Sequence, residues 1–297
     1  MSHSTLREKL TAGTFVMTAE ITPPLSANPQ DMIERGKPLK GLADAVNVTD
    51  GASARAHLES TIAAHLLLQS GVEPILQLTC RDRNRIALQS QLVGAAALGI
   101  VNVLSLTGDD PKKGDQPDAK PVFDLDSSGL IATAVSIRDK HQLPHGRPVV
   151  GTPDYFVGAA DAPVDPKEGW APTSLEKKIK AGAQFAQTQF CMDTGVLRRY
   201  TRHLAEHGLL DKIHLIVGVA PLASAKSARW IKENLFGSII PDWLIDRLEG
   251  AADAKAEGEA ICVALLQEMK EITGVSGAHI MAPLNEAAIP RVMAKMR

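Results

Sequence analysis

Six apolar runs in this sequence break off in polar residues whose side chains can move protons or recognise amides. Glu20 lies at the end of TFVMTAEI (14–21), Thr49 and Asp50 close DAVNVTD (44–50), and Gln77 and Thr79 sit in EPILQLTC (73–80). Thr107 and Gly108 end VNVLSLTG (101–108) and lead into Asp109, Asp161 follows DYFVGAA (154–160), and Gln187 and Gln189 share FAQTQF (185–190). Carboxyls give or take protons, amides donate and accept together, and hydroxyls do either. A carboxylate inside an apolar run costs several kcal/mol unless it is paired or protonated, so Glu20 stands out as a candidate acid. Asp50 and Thr107 have a plainer reading as caps or loop tethers.

Several other chemistries lack their residues. A Schiff-base mechanism needs a lysine with a lowered pKa, and none of these runs ends in lysine. The nine histidines fall mostly in helical or loop patterns; His203 and His207 share a helix face without H-E-x-x-H and read as a solvated surface pair, so no metal is expected. There is no G-x-S-x-G elbow and no Walker loop.

The elements that would position these residues follow from hydrophobic period. To the six runs are added IHLIVGV (213–219) and GAHIM (277–281), making eight short strand candidates, each followed by a helical pattern. NRIALQSQLVGAAALG shows the pattern: Leu88, Leu92, Ala95 and Ala96 repeat along one face before Gly99, and a last helix starts near Glu286. Eight strand–helix units, with strands too apolar to be wet on one face, predict an α/β fold of the (β/α)8 TIM-barrel type, one domain over 1–297. A doubly wound sheet would need a glycine fingerprint after the first strand, where this chain has EITPPLS. In a barrel, polar residues at the C-terminal strand ends converge on one rim. The stretch 109–125 is too long and polar for a simple connection and reads as a functional loop.

Composition fits an ordinary globular protein: 297 residues, 44% hydrophobic, 22% charged, with 32 basic and 34 acidic residues giving a net charge of -2. The charges form no basic stripe, so neither nucleic acid nor a membrane surface is an expected partner. Cys80, Cys191 and Cys262 are widely spaced with no C-x-x-C pair, which suits a reducing compartment. The N-terminal MSHSTLREKLTAG has no signal-peptide core and no apolar stretch reaches membrane-span length, so a cytoplasmic location is expected.

Read together, several segments resemble the methylenetetrahydrofolate reductase family. They are AEITPP, NVTDGAS, LTCRDRNRIALQS, LTGDDPKKGDQPDAKPVFDLDS, LEKKIKAGAQFAQTQF and GVAPLASAKSARW, in family order from about residue 15 to 285. The LTGD loop with its GDxPxA and VFDxDS continuation is similar to one branch of that family. The resemblance implies an oxidoreductase of one-carbon metabolism and methionine biosynthesis. Such an enzyme would be a flavoprotein, usually holding FAD, that passes hydride from NADH or NADPH to 5,10-methylenetetrahydrofolate and forms 5-methyltetrahydrofolate. The long loop would then be a flavin-binding segment.

Carried over residue by residue, the resemblance implies that Glu20 protonates the folate and that the charge of Asp109 favours the resulting cation. Gln189, Thr49 and Gln77 would meet substrate; Thr49, Asp50, Ala52, Thr107, Gly108, Asp109, Asp124 and Lys178 would hold the flavin. The chain also departs from better-known members of the family. Gln77 stands where they have histidine, Thr107 where they have arginine before Gly-Asp, and Asp161 and Asp165 near a tyrosine and a histidine. Ala225 and Ala282 replace aromatics expected to stack on folate, and Glu286 stands at an expected arginine. These departures leave FMN, or direct hydride transfer without flavin, as alternatives. A non-catalytic folate-binding subunit is a third, and a homo-oligomer is compatible with all of them.

Overall fold

The computed structural model describes residues 4–297; Met1 to His3, with one of the nine histidines, lie outside the described residues. In chain order the elements are α1 (Thr5–Thr11), β1 (Val16–Ile21), α2 (Pro29–Gly36), β2 (Ala45–Val48), α3 (Ser60–Gln69), β3 (Pro74–Thr79), α4 (Arg85–Ala97) and β4 (Asn102–Leu106). Then come α5 (Ser127–Lys140), β5 (Phe156–Asp161), α6 (Thr173–Lys180), β6 (Phe185–Phe190), α7 (Thr194–Glu206) and β7 (His214–Val219). The chain ends with α8 (Ala225–Asn234), α9 (Asp242–Gly250), α10 (Ala254–Met269), β8 (Val275–Ile280) and α11 (Ala288–Lys295). All eight strands pair in parallel, and β1 closes on β8 through the register Thr18 to His279, giving a closed (β/α)8 barrel.

Strand period fixes which side chains enter the cylinder. Val16, Ala45, Ile75, Leu104, Phe156, Phe185 and Ile216 form a separate inner cluster, joined from below by Leu6 and Leu10 of α1. The Phe156 and Phe185 rings stack at 4.9 Å. Gly158 is needed there, because a Cβ would sit 2.2 Å from the Phe185 ring. Thus α1 is a plug: Glu73, just before β3, accepts hydrogen bonds from the free N–H groups of Thr5 and Leu6 at 3.0 and 3.1 Å. Burying each of the two leucines is worth roughly 1.5–3 kcal/mol. The much larger outer core lies between strands and helices.

Three details differ from the sequence-based expectation. β4 ends at Leu106, because the chain turns at Gly108 with φ +97°. The β7–β8 connection holds three helices, with Pro241 separating α8 from α9. The final helix starts at Ala288 rather than near Glu286. The long loop after β4 contains a 3₁₀ turn at Pro111–Lys113 and is sewn to the β3–α4 connection by Val122 N–H to Arg81 O at 2.7 Å.

Candidate active site

At the C-terminal end of the barrel the interior turns from apolar to polar and opens into a cleft of about 630 Å³. That is within the usual size of a small-molecule site. It brings together Glu20, Thr49, Asp50, Ala52, Gln77, Thr107, Gly108, Asp109, Lys178 and Gln189, which sequence reasoning had selected. Asp124 is not among the lining residues. Its carboxylate is held by Arg85, at 2.8 Å from Nε and 2.6 Å from Nη2, and by the Arg85 backbone N–H at 2.9 Å. Asp124 therefore ties the long loop to the start of α4.

The lining residues differ in how free they are. Asp50 is buried and fully engaged: Arg83 grips it at 2.6 and 2.8 Å, and the Thr79 N–H and hydroxyl donate at 2.8 and 2.9 Å. Burial alone would raise this carboxyl, but the Arg83 bonds and charge, with those from Thr79, hold it below the usual range. Asp50 shapes the wall more than it offers a ligand group. Gly108 is also architectural, since a Cβ would lie 2.9 Å from the Arg81 Cβ and 3.1 Å from the Thr79 Cβ. Arg81, which sequence reasoning did not select, is buried with its guanidinium on Asp82 at 2.7 and 2.6 Å. By contrast the Thr49 hydroxyl is buried with no protein partner, and Asp109 is exposed at the rim.

On the opposite wall a register shift between β6 and β7 spans Gln187 to Phe190. There Gln189 accepts from the Phe190 N–H at 3.0 Å through Oε1, which leaves its NH₂ free for the cleft. Below it, Lys178 donates to Ala160 O at 2.6 Å and Tyr200 donates to Asp161 at 2.6 Å. Burial pushes the Asp161 carboxyl up and the Lys178 ammonium down, each against the opposing charge of the other.

Glu20 sits at the floor with its side chain 27% exposed, so it is less enclosed than a position inside an apolar strand suggests. Gln77 Nε2 donates to its Oε2 at 3.0 Å, and His279 Nε2 lies 3.6 Å from the same oxygen. His279 was missed, having been grouped with helical and loop histidines. The signal was available: on β8, period two places Gly277, His279 and Met281 on one face, and Met281 lines the same cleft. Beneath it Thr18, Gln187 and Asn47 complete a buried polar layer, Asn47 and Gln187 exchanging bonds of 2.6 and 3.0 Å. Phe236, 92% exposed after α8, was also missed and supplies an aromatic ring at the lip.

The positions of the family departures follow the same logic. Ala225 and Ala282 are buried, Asp165 pairs on the surface with Arg199 at 2.7 Å, and Glu286 lies 3.6 Å from Arg35. His203 is half-buried rather than solvated: its ring packs 5.3 Å from Trp170, while His207 is exposed. Among the described residues no His/Cys/Asp/Glu group suits a metal ion, and no helix is long and apolar enough to cross a membrane.

A probable methylenetetrahydrofolate reductase (NADPH) of Caenorhabditis elegans is 24% identical over 241 residues, 79% of this chain and 34% of the nematode protein. The 5,10-methylenetetrahydrofolate reductase of Pectobacterium carotovorum subsp. carotovorum is 24% identical over 251 residues, 82% of this chain and 76% of its own length. The chain thus spans about a third of the first relative and about three quarters of the second. In structure it is similar to an uncharacterised Clostridium thermocellum protein described as binding two copies of 5-methyl-5,6,7,8-tetrahydrofolic acid. The TM-score is 0.71 with 15% identity over 98% of both chains, a likeness of fold. The methylenetetrahydrofolate reductase family model matches residues 5–297, and with nearly the whole barrel and its polar rim covered, the chain belongs to that family of oxidoreductases.

Proposed function

We propose that the chain reduces 5,10-methylenetetrahydrofolate to 5-methyltetrahydrofolate with hydride from NADH or NADPH, aided by a flavin held in the cleft. The observation that carries this reading is the meeting of Glu20, Asp109, Gln77 and Gln189 in one open cleft. An acid, a second carboxylate and two amides are what a cyclic aminal needs in order to open and then accept hydride. Glu20 gives a proton to a nitrogen of the five-membered ring, and the carbon–nitrogen bond breaks to leave an iminium cation. Asp109, exposed at the rim, favours that cation by its charge. The free NH₂ of Gln189 binds and orients the pterin. The Clostridium thermocellum protein of the same fold is described as binding a folate, which supports a folate here.

The cleft fits the ring end of a flavin. Thr49 offers a buried hydroxyl without a protein partner, Ala52 and Gly108 leave the wall low, and Lys178 supplies positive charge for the ribityl or phosphate side. When bound, a flavin would store the two electrons between nicotinamide and folate. One observation favours a second reading, direct hydride transfer without flavin: Arg81 is already spent on Asp82, so Lys178 is the remaining lysine or arginine of the cleft lining for a pyrophosphate.

The decisive test uses the purified chain and Glu20→Gln. Folate reduction should fall by about 10²–10⁴-fold, while NADH oxidation by an artificial acceptor stays near wild type. Loss of both activities would refute the assigned role. An absorbance spectrum with bands near about 370 and 450 nm separates the flavin reading from the flavin-free one.

A further inference from the structure

The half-open position of Glu20 raises a difficulty for an acid that must work at neutral pH. Glu20 is not sealed off from water, and a general acid must be given back its proton after every turnover. Its neighbour supplies what burial does not. His279 is 2% exposed, and its Nε2 faces Glu20 Oε2 at 3.6 Å, a separation short enough for ion pairing. Catalytic bonds of this length commonly tighten when ligand is bound.

The far side of the imidazole is arranged so that this nitrogen can gain or lose a proton. Thr18 Oγ1 lies 2.9 Å from Nδ1 and also has Ala278 O within 3.5 Å. The hydroxyl can donate to a bare Nδ1, or accept from a protonated Nδ1 while turning its own hydrogen to the carbonyl. It also accepts from Gln187 Nε2 at 3.1 Å, whose other hydrogen goes to Asn47 Oδ1 at 3.0 Å. Nδ1 therefore keeps a partner whichever tautomer the ring adopts, and an orphaned group is what makes a change of protonation costly inside a protein. The hydrogen-bond and charge partners of the ring are Thr18 and Glu20 from β1 and Gln187 from β6, with Gly218 in register on β7. Glu20 is the ionisable one among them.

We propose that Glu20 and His279 hold one proton between them, making His279 the positioning residue that keeps the acid loaded at neutral pH; this rests on the folate-reductase reading. With the proton on the ring, the imidazolium faces a carboxylate. Transfer breaks the Nε2–H bond and forms the O–H bond of Glu20, leaving a neutral imidazole whose Nδ1–H donates to Thr18. Glu20 then releases the proton to the folate nitrogen, and one proton from water restores the pair. A carboxyl without such a neighbour has no second seat for that proton, and replacing His279 removes the seat.

The test is the pH profile of folate reduction by wild type, His279→Gln and His279→Asn. The shared proton predicts that both variants lose activity at lower pH, with the alkaline limb moved down by about one unit or more. Near neutral pH kcat should fall by about tenfold or more, while activity at the acid end approaches wild type and KM for folate stays within about threefold. An unmoved alkaline limb overturns the proposal, even if kcat falls uniformly. A second readout needs no turnover: the ¹⁵N resonances of His279 should titrate at lower pH in Glu20→Gln than in wild type, and coincident curves overturn the proposal. A wild type that fails to reduce methylenetetrahydrofolate but shows the coupled titration would sink the reductase reading and leave the proton-sharing pair standing.

Discussion

The two halves of the barrel interior are built by the same eight strands and obey opposite rules. Toward the N-terminal end, inward positions carry Val16, Ile75, Phe156 and Phe185, closed off by Leu6 and Leu10. Two residues further along the same strands, Thr18, Gln77 and Gln187 point inward instead, and His279 joins them from β8. The lower half gains stability from area removed from water; the upper half must satisfy each polar atom or leave it for a ligand. Barrels commonly keep stability and chemistry at opposite ends in this way. The difference can be broken or sharpened by substitutions in each half.

The largest effect is expected at the bottom. Phe185→Ala should cost about 3–5 kcal/mol of stability, because the ring fills the space that Gly158 leaves open. A shift of the urea midpoint at constant slope measures it, and a small shift would mean that the lower half is not the packed one. Next comes Gly108→Ala at the rim, where a left-handed backbone and contacts with Arg81 and Thr79 oppose any side chain. A cost of about 1–3 kcal/mol is expected, together with weaker binding of 5-methyltetrahydrofolate by calorimetry.

A smaller effect concerns acid. The Asp50 carboxyl lies below its ordinary range in the folded chain, so its contribution to stability is present above the unfolded value near about 4 and is lost as pH falls through the folded value. Asp50→Asn should therefore be less stable than wild type at pH 7, and the gap should close in strong acid. Thermal melts across pH would show this, and a constant gap would contradict it. The smallest effect is expected at Phe236, which is almost fully exposed. Phe236→Ala should change stability by no more than about 0.5 kcal/mol, and a large loss would show that the upper rim also serves as core.

Much of this division was legible in the sequence, for a physical reason. Strands buried on both faces read as continuous apolar runs, so a polar residue such as Glu20 or Gln189 stands out where a run ends. His279 follows the same logic on a shorter run. GAHIM is short, and one histidine among nine carries no sign of the Thr18 hydroxyl that comes to it only when β1 closes on β8. Asp124 failed to reach the cleft because a local partner, Arg85, captured it. Sequence spacing specifies which residues share a strand face, whereas which of several arginines takes a carboxylate is settled by the path of the loop.

The α1 plug has one more consequence. A cylinder shut at its base has a single doorway, so whatever binds in the cleft must enter and leave by the same opening. It also provides a blind side: a surface attachment made through the exposed residues of α1, such as Thr11, would leave that doorway facing the solution.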